Sequence, residues 1–96
     1  AVLRENAEKA GPAYARLGRS LGIASAGDDV AALIAAVDSF VHGTAGIPRR
    51  LRDAAPGVQE SALEGLAAAA LRDPDLPTNP VRFDAARLLS VLQRQW

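Results

Sequence analysis

The stretch Gly46-Ile47-Pro48-Arg49-Arg50-Leu51-Arg52-Asp53 constrains the fold most, because it sets a proline-bearing connector between two alanine-rich halves. On its N-terminal side Val30, Leu33, Ile34, Val37 and Val41 hold helical phase for three turns. Asp28 precedes them as an N-cap, a carboxylate able to accept from backbone N–H groups that a first helical turn leaves unpaired. Gly43 and Gly46 bracket the end of that helix. Pro48 then opens the connector, Leu51 is its apolar anchor, and Arg49, Arg50 and Arg52 spread around one turn.

The same punctuation divides the rest of the chain. Residues Ala1 to Ala10 read as a helix with Val2 and Leu3 on its buried side. Gly11-Pro12 is expected to end it and to start another helix, in which Tyr14, Leu17 and Leu21 form the apolar face and Gly22 is the stop. Beyond the connector, Pro56-Gly57 precedes a helix from about Gln59 to Leu71, with Leu63, Leu66, Ala67, Ala70 and Leu71 as its buried stripe. Asp73-Pro74 stops that helix. The loop from Asp73 to Phe83 carries Pro74, Pro77 and Pro80, so it is expected to be stiff and extended. Asp84 caps the last helix, whose stripe is Leu88, Leu89, Leu92 and Trp96, with Phe83 placed to pack on Leu88. No alternating strand pattern and no repeat appears. The expected fold class is all-α, a bundle of about five helices formed by residues 1–96 as a single helical domain.

Composition mostly excludes. Ninety-six residues suffice for one modest core and are short for a complete cofactor-dependent enzyme. Eleven basic and eleven acidic residues leave no net charge, so no overall field favours nucleic acid or an anionic membrane surface. There is no cysteine, hence no disulfide, thiol nucleophile or thiolate metal site. One histidine cannot make a self-contained zinc site of the usual kind, and His42, at a helix end, reads as a cap or surface residue. No run approaches the ~20 apolar residues of a membrane span. Nor does Ala1-Val2-Leu3-Arg4-Glu5-Asn6 resemble a signal peptide. A cytoplasmic location is expected. The start on Ala and the end on Trp96 suggest an excised piece.

Few residues remain for chemistry. The Arg49, Arg50, Arg52 cluster could hold a phosphate, but it also reads as a solvated turn beside Asp53, and the following helix brings Glu60 and Glu64 rather than more basic residues. Asp28-Asp29 and Glu5/Glu8 read as caps and helix-surface charges. Asp73, Asp75 and Asn79 stand on the proline-rich loop, and rigid polar loops often line pockets.

Taken together, the Gly46–Asp53 connector, the helix ending Leu66-Ala67-Ala68-Ala69-Ala70-Leu71-Arg72-Asp73, and Thr78-Asn79-Pro80 before a capped helix with a terminal aromatic resemble the C-terminal helical domain of iron-containing (group III) alcohol dehydrogenases. That family includes maleylacetate reductases and is related to dehydroquinate synthase. Val2-Leu3-Arg4-Glu5-Asn6 and Ala15-Arg16-Leu17 with Leu21-Gly22 fit the same order. The resemblance implies a dehydroquinate synthase-like alpha domain, the C-terminal part of a two-domain enzyme. Its partner would be its own N-terminal nucleotide-binding domain, with NAD(P) and a divalent metal, iron or zinc, in the intact enzyme and none bound by this chain alone. The substrate would be a small alcohol, aldehyde or keto acid, turned over in the cleft between the domains. A homodimer stays open; nucleic-acid and membrane partners are not expected. By the same resemblance the loop approaches the substrate, so Asp75, Leu76, Thr78 and Asn79 are the expected pocket-wall residues, with no catalytic, cofactor-binding or metal-ligating residue in the chain. Two departures bear on the substrate: many alcohol-type members have a cysteine near Asp75, and many have Arg directly after Asn-Pro, where this chain has Val81 and then Arg82. On this reading residues 1–96 alone are inactive and expose apolar surface. A different class, a free-standing helical protein-interaction module, is the alternative, and a small helical DNA binder using the three arginines is a weaker third.

Overall fold

Local capping chemistry sets the start of two helices, at Asp28 and Asp84, and the end of a third, at Gly22. The computed structural model describes residues 1–23 and 27–96. Among these the chain is all-α, with helices α1 (Val2–Ser20), α2 (Asp29–Ser39), α3 (Leu51–Ala54), α4 (Leu63–Ala70) and α5 (Ala85–Arg94), and no strand. It divides into two compact units, Val2–Ile47 and Pro48–Trp96, and the division falls inside the Gly46–Asp53 connector.

In the first unit α1 packs along α2. The expected break at Gly11-Pro12 does not occur, since α1 runs through both residues for about 28 Å. A proline inside a helix removes one ladder donor and crowds the preceding turn, and the residue before it is normally driven from the α region, partly by its Cβ. Gly11 has no Cβ, and Pro12 is exposed, where water can replace the lost bond. These two facts let the helix continue.

The buried face of α1 also differs from the expected one. Leu17 and Leu21 are 50% and 62% exposed and Val2 is exposed, whereas Gly11, Gly18 and Asn6 are buried. Gly11 and Gly18 lie seven residues apart and so share one face, while Leu17 is turned about 100° from Gly18. A Cβ on Gly18 would lie 3.4 Å from the Asp29 carbonyl oxygen and 3.6 Å from Leu33 Cβ, so α2 passes within van der Waals reach of this position. The contact is made by small residues, which a search for large apolar side chains passes over.

Both ends of this pair are chemically closed. Gly22, at φ 70°, donates to the Arg19 carbonyl at 3.0 Å while Ile23 N donates to Gly18 at 2.9 Å, the two bonds of a Schellman turn. Asp28 Oδ1 accepts from Val30 N at 2.9 Å and Ala31 N at 3.0 Å, as expected of the cap. Arg19 pairs with Asp29, joining the C-terminal end of one helix to the N-terminal end of the other, each charge on its favourable helix pole. After α2 the chain widens into a π turn over Phe40–Thr44, and Gly46, at φ 68°, releases it.

In the second unit α4 packs on α5, with Leu63, Ala67, Val81, Leu88 and Val91 as the core. The expected stripe on α4 is corrected at two positions. Leu66 and Leu71 are 42% and 39% exposed, and the face that meets α5 is Leu63 with Ala67 one turn on. On α5 Asp84 accepts from Arg87 N at 2.8 Å as the cap, and Val91, absent from the expected stripe, is buried beside Leu88. Leu51 is half-buried in its own unit, and its N–H donates at 2.7 Å to the Gln95 carbonyl just past α5. The connector is therefore tied down at its anchor.

Candidate functional site

The loop between α4 and α5 is held by bonds its own sequence supplies. Asp73 Oδ1 accepts from Asp75 N at 2.9 Å, and the Asp73 carbonyl accepts from Leu76 N at 3.1 Å. Thr78 donates twice to the Asp75 carbonyl, through its hydroxyl at 2.7 Å and its N–H at 3.2 Å. Asn79 Nδ2 donates to the Val81 carbonyl at 2.7 Å. The loop is thus not extended throughout: Leu76–Thr78 forms a 3₁₀ turn, because the fixed φ of Pro77 suits the first positions of such a turn. Stiffness comes from the prolines and from these bonds together.

The four expected wall residues do different things. Leu76 is half-buried and lines a hollow of about 190 Å³ together with Leu71, Pro77, Arg82 and Phe83. Thr78 and Asn79 use polar atoms to hold the loop, and Asp75 is exposed at its edge, its carbonyl the acceptor for Thr78. Leu71, Pro77, Arg82 and Phe83 were missed by sequence reasoning. From the sequence Leu71 reads as part of the core stripe and Phe83 as a staple, and the turn at Leu76–Thr78 brings the end of α4 and the start of α5 around one space. The Arg87 guanidinium lies 5.6 Å from the centroid of the Phe83 ring, a cation–π distance. Arg82 is exposed and has no carboxylate within ion-pair distance among the described residues.

His42 is engaged by its own neighbourhood. Its Nδ1 donates to the Ile47 carbonyl at 2.5 Å, and its Nε2 lies 3.6 Å from Asp38 one turn back, so the ring closes the π turn after α2. Among the described residues no group of three or more His, Cys, Asp or Glu side chains is placed to hold a metal ion.

Among the described residues the proline-rich loop, held by its own hydrogen bonds, closes around one small hollow between the end of α4 and the start of α5. Over residues 1–96 the sequence matches the profile described as Fe-containing alcohol dehydrogenase family, C-terminal, and the chain belongs to that family. Neither a curated protein nor a solved structure matches it. Membership implies a metal in the intact enzyme.

Proposed function

We propose that this chain is the helical C-terminal domain of a metal-dependent, NAD(P)-linked alcohol dehydrogenase or maleylacetate-type reductase, and that its proline-rich loop forms one wall of the substrate cleft. The observation that carries the reading is the family match along all of residues 1–96, in a chain whose proline-rich loop is held by its own hydrogen bonds. Its partner is the nucleotide-binding domain of the same enzyme, which would hold the cofactor and the metal. Leu76 would meet the substrate, Asp75 would stand at the loop's edge, and Thr78 and Asn79 would fix the wall. Leu17 and Leu21, one turn apart and open to solvent, supply apolar surface for the rest of the enzyme to cover. A cytoplasmic location is part of the same proposal; no helix among the described residues is long and apolar enough to cross a membrane.

The test is turnover. The complete enzyme with metal should oxidise NADH or NADPH in the presence of an aldehyde or keto acid, and purified residues 1–96 should not. Turnover by residues 1–96 alone, or none by the complete enzyme across both substrate classes, would contradict the proposal.

A further inference from the structure

We infer that the hollow at Leu71, Leu76, Pro77, Arg82 and Phe83 receives the carboxylate-bearing end of an apolar substrate, with Arg82 reading the charge. This rests on the proposed placement of the loop in the substrate cleft. Three observations carry it further than that placement does.

The first is chemical asymmetry. Four of the five lining residues are apolar and the fifth carries a guanidinium. Arg82 lacks an acidic partner among the described residues, although the same stretch of chain carries Asp73, Asp75 and Asp84. Two of those carboxylates are engaged elsewhere, Asp73 with Asp75 N and Asp84 with Arg87 N. A cation left open beside leucine, proline and phenylalanine matches a ligand with one anionic end on a hydrocarbon body.

The second is size. A volume of about 190 Å³ equals the liquid share of roughly six water molecules and falls below the roughly 300 Å³ at which whole small-molecule sites begin. It suits one end of a substrate, a carboxylate and a few carbons, with the reacting end outside the hollow. A single planar guanidinium offers the paired N–H geometry that a carboxylate accepts.

The third is that the walls are preformed. Pro77 is part of the lining, and the bonds of Asp73, Thr78 and Asn79 fix the backbone on which Leu76 and Arg82 are carried. The loop backbone needs little further ordering, and the main remaining cost is fixing the exposed Arg82 side chain.

Kinetics of the complete enzyme on a matched pair, 4-oxobutanoate and butanal, test the inference. Arg82→Gln should lower kcat/KM for 4-oxobutanoate by about 10- to 100-fold, mainly through KM, and should affect butanal far less. Arg82→Lys should restore only part of the loss, because a point charge lacks the planar fork. Equal losses on both substrates, or no loss on 4-oxobutanoate, would overturn it. Where neither compound is turned over, binding of hexanoate followed through the methyl resonances of Leu71 and Leu76 serves instead: Arg82→Gln should weaken it by a similar factor, and unchanged binding overturns the inference. Leu76→Trp separates the two proposals. If it shifts KM for both substrates while Arg82→Gln is not selective, the cleft wall stands and the carboxylate assignment falls. If it shifts neither, the cleft placement itself falls.

Discussion

Replacing Pro12 with alanine probes the least expected feature of the fold, the passage of α1 through Gly11-Pro12. Position 12 is exposed, so the substitution opens no cavity. Inside a helix proline is about 3 kcal/mol less favourable than alanine. Part of that penalty is steric and is already relieved here by the glycine at position 11. The remainder is at least the missing backbone hydrogen bond, worth about 1 kcal/mol. Pro12→Ala should therefore stabilise the fold by roughly 1–3 kcal/mol. In a domain of this size 1 kcal/mol moves the melting temperature by about 4–8 °C, so a gain near the middle of the range gives roughly 8–16 °C. Urea unfolding followed by far-UV circular dichroism should show a higher midpoint with an unchanged slope. If two helices met at Gly11-Pro12 instead, the proline would occupy the favoured first position of the second. An unchanged or lowered midpoint would then result, and would refute the continuous helix.

Two further predictions concern stability. Gly22→Ala should cost about 1–2 kcal/mol in the same unfolding assay, because the Schellman turn holds this residue at φ 70°, where a Cβ is strained. Leu63→Ala should cost about 2–5 kcal/mol and Leu66→Ala well under half as much, since the first side chain is 2% exposed and the second 42%. Equal costs would restore the broader stripe read from the sequence.

What the sequence made legible was the chemistry that a residue performs on its own neighbourhood. Asp28 and Asp84 cap helices wherever they precede one, and Gly22 adopts a positive φ with little regard to what lies across from it. What stayed hidden depended on a second element. On an alanine-rich helix such as α4, Leu66 outscores Ala67 in hydrophobicity, yet close packing on α5 selects the alanine and leaves the leucine exposed. In α1 the same preference for small contacts placed Gly11 and Gly18 inward and Leu17 outward. The hollow follows the same division. Leu76 stands on a loop made conspicuous by its prolines, whereas Leu71, Arg82 and Phe83 join it through a turn whose geometry is decided by Pro77 and the side-chain bonds of Thr78 and Asn79.

The account stands most directly on Leu76, the expected wall residue that the folded loop places in the hollow. Its measurement is kcat/KM of the complete enzyme for straight-chain aldehydes of increasing length, with Leu76→Ala and Leu76→Trp beside the parent. If the loop walls the substrate cleft, alanine shifts preference toward longer chains and tryptophan toward shorter ones, by about 10-fold or more across the series. An identical length profile in all three proteins would place the loop away from the substrate and contradict the account.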